Sequence, residues 1–320
     1  MATIKDVAKK AGVGISSVSR YLNKSGYVSE ENKAKIENAI SELNYKPSYI
    51  ARTLKARHAY MVALFVPTIS HPFFCKIAYY IEQFLYERGY KTVIISSQNN
   101  KQKEIDLLAM LEQNQVDGAI FITHHYYEKI NPKLPIVTID RHLAESVPCI
   151  TSDNYQSSRK ALEFLAERGC KNIGFIGGQP RTESEVLYRY YAYQEFVHER
   201  KMPSIVSYSD IAHGEEYEVV RAFFEKNPQT DGVFTATDML ANMAYQYAVA
   251  NGKKVPQDLK IISYDGIMSE WVQYPKFTCV KQDLESMAKT AVETLLRTIK
   301  GKHCDKKIVI PCSFIEGETT

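Results

Sequence analysis

From Tyr60 onward, apolar runs of four to six residues alternate with longer amphipathic segments. That alternation constrains the fold more than any other feature of the chain. A short run of continuous apolar residues, followed by a helix-like segment and then another such run, is the pattern of βαβ units and a parallel sheet. The strand-like runs are 61–66, 92–96, 119–123, 136–139, 172–176, 204–208, 232–235, 260–264 and 307–310. Helix-like segments fall at 73–88, 101–114, 156–168, 188–200, 215–226, 239–251 and 284–300. Several of these end at Gly followed by an aromatic residue or Cys, as at Gly89-Tyr90 and Gly169-Cys170, where Gly can supply the left-handed cap. So many units predict two sheets, and 320 residues with 45% hydrophobic content are enough to bury the cores of more than one domain.

The first sixty residues follow a different pattern. Ile4, Val7, Ala8 and Ala11 recur at helical spacing behind Thr3, with Asp6 placed to complete a cap. Gly12 and Gly14 interrupt the helix, and Ile15 to Leu22 then turns Val18 and Leu22 to one face, leaving Ser16, Ser17, Ser19 and Arg20 largely off it. This predicts two short helices in a helix-turn-helix, with hydroxyls and an Arg able to reach base edges in a major groove. Taken generically, the same pattern also fits a helical hairpin that only packs. Ser29 can cap a third helix carrying Ile36, Ala39, Ile40 and Leu43, and Pro47 closes the unit. Residues 1–57 hold eleven Lys or Arg against five acidic residues, a net +6, whereas the remainder holds 29 against 32, a net −3. A basic head on a mildly acidic body suits a module that binds a polyanion.

Six scattered cysteines (75, 149, 170, 279, 304, 312) include no C-x-x-C pair, which predicts reduced thiols rather than a zinc or redox module. The N-terminus lacks an apolar signal region and no run of about 18 apolar residues occurs, so a cytoplasmic protein without a membrane span is expected. The glycines of 174–178 lack G-x-G-x-x-G spacing and predict a tight turn after a strand. His124-His125 has no ligand partner at metal-site spacing and is expected in an exposed loop. No nucleophile triad or carboxylate pair stands out, so an enzyme is not expected, and neither a metal nor a cofactor is predicted.

The opening stretch TIKDVAKKAGVGISSVSRYLN, residues 3–23, resembles the N-terminus of the lactose/galactose-repressor family, whose pattern runs I-x-D-V-A-x-x-A-G-V-S-x-x-T-V-S-R-x-L-N. Gly14 stands where that family has Ser, and Ser17 where it has Thr. The continuation N-Y-x-P-x-x-x-A-R-x-L-K, together with H-P-F-F (71–74), V-D-G-A-I (116–120), I-D-R (139–141), S-D-N (152–154), T-A-T-D (235–238) and S-Y-D-G (263–266), carries the resemblance along the whole chain. It implies an all-α helix-turn-helix head over 1–46, a hinge helix over 47–58, and a core over 59–320. That core would be periplasmic-binding-protein-like, with two Rossmann-like subdomains. The first is expected over about 59–157 and 283–306, the second over about 158–282 and 307–320.

By this resemblance Ile15, Ser16 and Arg20 take base-reading positions, Ser19 and Asn23 are phosphate contacts, and Thr3, Ser17 and Tyr45 join the DNA face. Leu54 would be a minor-groove wedge flanked by Ala51, Arg52 and Lys55; a plain linker whose Leu54 packs on the body is the other reading. Asp140, Asp238 and Asp265 each follow an apolar run, where ligands of open α/β sheets bind. The resemblance adds Phe73 and Phe74 as an aromatic wall, Arg189, Ile211 as an opposing wall, and Thr237. For several of these a role in the core or as a helix cap is the alternative. The chain is thus expected to be a homodimeric transcription regulator, most simply a repressor of carbohydrate-use genes that binds pseudo-palindromic operator DNA. Its effector would be a small sugar or sugar phosphate, with similarity leaning toward sucrose- or ribose-type repressors. A phosphorylated carrier protein is a conceivable further partner that nothing in the sequence requires. A solute-binding protein serving a transporter is the rival from another class.

Overall fold

The computed structural model describes residues 2–23, 25–45, 58–98, 100–122, 125–178, 184–209, 211, 214–267 and 275–320. The chain divides into two units, Met1–Ala59 and Tyr60–Thr320.

In the first unit, helices α1 (Ile4–Ala11), α2 (Ile15–Leu22) and α3 (Glu30–Glu42) share one small core. α1 starts at a reciprocal cap, in which the Thr3 N–H donates to the Asp6 carboxylate at 2.8 Å and the Asp6 N–H donates back to the Thr3 hydroxyl. It stops at Gly12, whose φ of +65° is the left-handed conformation that Gly adopts without a Cβ penalty. α2 begins at Gly14 with no side-chain cap, the local consequence of Gly at a position that favours Ser. Val7, Ala8 and Ala11 pack against Val18, Val28, Ile36 and Ala39, and the Tyr21 hydroxyl donates to Glu37 at 2.5 Å, fastening α2 to α3.

The second unit contains two six-stranded sheets. Strands β1 (Met61–Val66), β2 (Lys91–Ser96), β3 (Gly118–Phe121), β4 (Ile136–Ile139), β5 (Cys149–Ser152) and β11 (Lys307–Ile310) form the first, in the order β11-β5-β4-β3-β1-β2. Strands β6 (Ile173–Gly178), β7 (Ile205–Ser209), β8 (Gly232–Thr235), β9 (Lys260–Asp265), β10 (Thr278–Lys281) and β12 (Ser313–Ile315) form the second, in the order β12-β10-β9-β8-β6-β7. All pairings are parallel except that of β10 with β12. The central runs are apolar throughout because helices cover both faces of each sheet. On the first sheet α4 (Pro72–Glu87) and α10 (Leu284–Ile299) share one core, and α5 (Lys101–Glu112) covers the other face. On the second, α6 (Asn154–Glu167) and α7 (Leu187–Glu199) cover one face, α8 (Glu216–Lys226) and α9 (Asp238–Ala250) the other.

The chain crosses between the sheets three times, after β5, after β10 and after β11. The last crossing corrects the expected boundary at 306/307: Lys307–Ile310 pairs with Cys149–Ser152 in the first sheet, and only the segment from β12 onward joins the second. Strands β5, β10 and β12 were not anticipated. They are three or four residues long and mix polar with apolar side chains, so their pairing depends on the neighbouring strand more than on their own pattern. His125 also departs from expectation, since it is half-buried with Nδ1 3.1 Å from the fully buried Glu104 carboxylate.

Tyr193 on α7 shows how a helix is tied to the strands beneath it. Its buried hydroxyl accepts the Ile205 N–H at 2.8 Å and lies 3.0 Å from the Ile173 carbonyl and 2.9 Å from that of Ile205. Tyr193→Phe leaves the Ile205 N–H buried without an acceptor, a loss of about 1–3 kcal/mol. Urea denaturation should show a lower midpoint with an unchanged slope.

Candidate functional site

In the body, residues from both sheets' C-terminal ends converge on a cavity of about 230 Å³. From the first subdomain come His71, Phe73, Phe74, Ile122, Asp140 and Arg141; from the second come Val186, Arg189, Thr237 and Asp265. Six residues expected for an effector, Phe73, Phe74, Asp140, Arg189, Thr237 and Asp265, are thus brought together. Pro72 opens α4 and the His71 ring caps it by accepting the Phe73 N–H, which fixes where the aromatic wall stands. The Phe73 and Phe74 rings meet edge to face at 5.5 Å between centroids.

Arg189 is the most heavily constrained group in the cavity. Only 3% exposed, its Nε donates to Asn154 Oδ1 at 2.7 Å and its Nη1 to the Ala236 carbonyl at 2.6 Å. Nη1 also lies 3.4 Å from Asp265 Oδ1, and the guanidinium stands 3.6 Å over the Tyr264 ring centroid. Asp265 accepts the Gln282 amide at 2.7 Å. Burial outweighs the attraction of Arg189 and pushes the Asp265 carboxyl up to about 8. Asp140 is raised by the same cause, although Arg189, the Thr151 hydroxyl at 2.9 Å and the Ser152 N–H oppose it. Arg141 is lowered by burial to about 10 and so stays charged at neutral pH. Two guanidinium groups, two carboxyls and an aromatic wall can donate to, accept from and stack on a polyhydroxylated ring.

Two expected residues have other work. Asp238 is buried and its carboxylate is engaged by the fold: it accepts the Ser263 hydroxyl at 2.6 Å and the backbone N–H groups of Gly266 and Ile267. It therefore holds the loop leaving β9, where Asp265 has φ +96° and Gly266 φ +67°. A Cβ on Gly266 would stand 2.7 Å from Lys281 Cα, so the close approach of β9 and β10 requires Gly there. Ile211 packs against the core beneath β7 and does not line the cavity. Arg141 and His71 were missed as site residues although I-D-R and H-P-F-F contain them. Asn154, which supports Arg189, stands in the S-D-N motif but was not read as a site residue, and Gln282, which supports Asp265, gave no local signal.

On the head, the second helix presents Ile15, Ser16 and Arg20 outward; Ile15 is 47% exposed despite being apolar. Ser17 and Ser19 are half-buried, and Asn23 Nδ2 donates to the Ser19 hydroxyl at 3.3 Å. Thr3 serves α1 as its cap, and Tyr45 packs on the head's core. The hinge positions Ala51, Arg52, Leu54 and Lys55 lie outside the described residues.

Residues 3–48 match the model for bacterial regulatory proteins of the lacI family, and residues 162–320 that for a periplasmic binding protein-like domain. A ribose operon repressor of Halalkalibacterium halodurans is 37% identical over 100% of this chain and 97% of its own length. The chain belongs to the lacI family. A sucrose operon repressor of Streptococcus mutans is 35% identical over 100% of this chain and 99% of its own. The body also resembles a solved periplasmic binding protein/LacI transcriptional regulator from Alkaliphilus metalliredigens complexed with D-xylulofuranose. There the TM-score is 0.72 at 26% identity, covering 82% of this chain and 99% of that one. In this lacI-family chain, the helix-turn-helix and the two-subdomain core that the sequence pattern predicted are both present.

Asp265 makes the stability of the body depend on pH. Between the ordinary carboxylate value of about 4 and the folded value of about 8, the folded chain keeps a proton that the unfolded chain has released. This residue's contribution is therefore complete below about 4 and is lost as pH rises toward 8. Asp265→Asn should flatten that dependence, measured by urea denaturation at intervals from pH 5 to 8, with its largest gain over the parent at the alkaline end.

Proposed function

We propose that this chain is a sequence-specific repressor of carbohydrate-use genes whose grip on operator DNA is set by a monosaccharide held in the cavity between the body's two subdomains. The observation that carries the effector reading is the cavity itself: Arg141, Arg189, Asp140 and Asp265 face a space beside Phe73 and Phe74. At about 230 Å³ it is smaller than the ~300–1,000 Å³ of pockets that take drug-sized ligands. One sugar ring suits that space better than two. The 37% identity to a ribose operon repressor and the D-xylulofuranose held by the Alkaliphilus protein agree with a monosaccharide. The similarity to a sucrose operon repressor supports a second reading, a disaccharide, which needs wider separation of the subdomains.

On the DNA side, Arg20 and Ser16 on the exposed face of α2 supply the base-reading groups and the basic head supplies the phosphate attraction. One such helix presents few specific side chains, so two copies reading two half-sites are required for a unique operator. Pairing is further supported by apolar surface along α4 and the edge strand β2, where Tyr79 is 53%, Tyr86 75% and Ile94 47% exposed. A ligand that favours one arrangement of the subdomains shifts DNA affinity by its differential binding to the two arrangements. Leu54 enters as the hinge wedge by family resemblance.

Two measurements test this reading. In a thermal-shift series with D-ribose, D-fructose and sucrose, a monosaccharide should raise the melting temperature in a concentration-dependent way. Arg189→Ala should abolish that rise, and a rise with sucrose alone would favour the disaccharide. In operator selection followed by titration, Arg20→Ala should lose about 1–3 kcal/mol of preference for the selected site over random DNA. An unchanged preference would refute α2 as the reading helix.

A further inference from the structure

Besides the cavity, the two subdomains meet at a buried carboxylate that the effector reading does not use. Glu185 lies just ahead of α7 in the second subdomain and is 5% exposed. One of its oxygens is 2.8 Å from His142 Nε2, in the segment leaving β4, and the other is 2.7 Å from Lys307 Nζ, on β11. Both partners belong to the first subdomain. A buried carboxylate costs several kcal/mol unless partners replace its water, and here each oxygen has one.

The backbone repeats the connection. The Glu185 N–H and the Ser184 hydroxyl both donate to the Asp140 carbonyl at 3.1 Å, and Arg141 pairs with Ser184 in an isolated antiparallel bridge. Asp140 has φ +58°, a left-handed conformation that Asp tolerates better than most L-residues and that these hydrogen bonds help to hold. The two residues so clamped, Asp140 and Arg141, line the cavity from one side. Val186 and Arg189, which follow Glu185, line it from the other.

We propose that Glu185 is a positioning residue: it latches the second subdomain to His142 and Lys307 of the first and so holds Asp140 and Arg141 opposite Arg189 in the arrangement that receives the effector. The proposal rests on the effector reading of the cavity. It differs from a helix-capping or surface ion pair in joining two subdomains that the chain itself connects only at the three crossings. The charged and titratable groups that face the latch are His142 and Lys307 directly, Asp140 and Arg141 on the clamped segment, Tyr188, whose ring lies 5.4 Å from Lys307 Nζ, and the buried Cys149 thiol. Lys306 and Glu145 pair at 4.0 Å on the exposed rim nearby. Burial by itself would raise the Glu185 carboxyl, but the hydrogen bonds from His142 and Lys307 overcome it and hold the group below its ordinary range.

The test is hydrogen exchange of the full chain without sugar, read on peptides covering 140–146 and 184–190, beside D-ribose thermal shifts of the same proteins. Glu185→Gln, which keeps an acceptor but not the charge, and Lys307→Met, a half-exposed position that spares the carboxylate, should each speed exchange in both peptides by about tenfold. Peptides from β1 and β8 should be unaffected. Lys307→Arg, which restores a cation, should return both peptides to the parental rate. Where D-ribose raises the parent's melting temperature, the first two variants should need about tenfold more sugar for the same rise. Parental exchange in both Glu185→Gln and Lys307→Met overturns the latch, and so does faster exchange that Lys307→Arg does not reverse. A parent that fails to respond to D-ribose counts against ribose as effector, while the exchange data still decide the latch.

Discussion

The body is organised around one buried cation. Arg189 is carried by α7, yet the groups that neutralise and hydrate it come from elsewhere: Asn154 at the start of α6, the Ala236 carbonyl after β8, and Asp265 and Tyr264 of β9. A guanidinium in the interior is tolerated only when its donors are spoken for and a counter-charge is close. Each element that ends at the cavity therefore ends there in a defined position. Arg189 also lines the cavity, so the group that organises the second subdomain stands where a ligand would be met. Asp265 completes the arrangement with an unusual balance, being buried enough to hold a proton at neutral pH beside a cation that favours its loss.

Around this centre, polar groups divide into those that shape the cavity and those that face it. Asp238 illustrates the first kind. Its carboxylate supplies partners to backbone groups in the loop after β9, and it does not line the cavity although it stands beside Thr237, which does. Glu185 acts at the next remove, between subdomains. The chain itself joins the halves at three crossings, so contacts away from those crossings add to what sets their arrangement. An effector and a latch that both bridge the halves would bias the same equilibrium.

Much of this is legible in the sequence. The alternation of apolar runs with amphipathic segments specified parallel sheets because a strand buried on both faces cannot carry the polar alternation of an exposed one. Capping at Thr3 and Ser29 and the glycine at 12 placed the head's helices, since caps act over three or four residues of local sequence. Six of the eight expected effector residues reached one cavity because the ends of parallel strands are brought together by the topology itself.

What the chain could not disclose depended on distance in space. Lys307–Ile310 reads as a strand, but its sheet is decided by an open edge beside β5 that lies some 150 residues away in sequence. Ile211 and Asp238 carry the same local pattern as true lining residues, and only the packing around them shows that one serves the core and the other a loop. Gln282 and Glu185 follow the same rule: their roles arise from partners that are remote in sequence and adjacent in the fold. Local periodicity and capping thus determined the elements and the end of the sheets where a ligand belongs. Tertiary structure alone decided which polar groups remain free to meet it, because that depends on which of their hydrogen bonds the fold has already used.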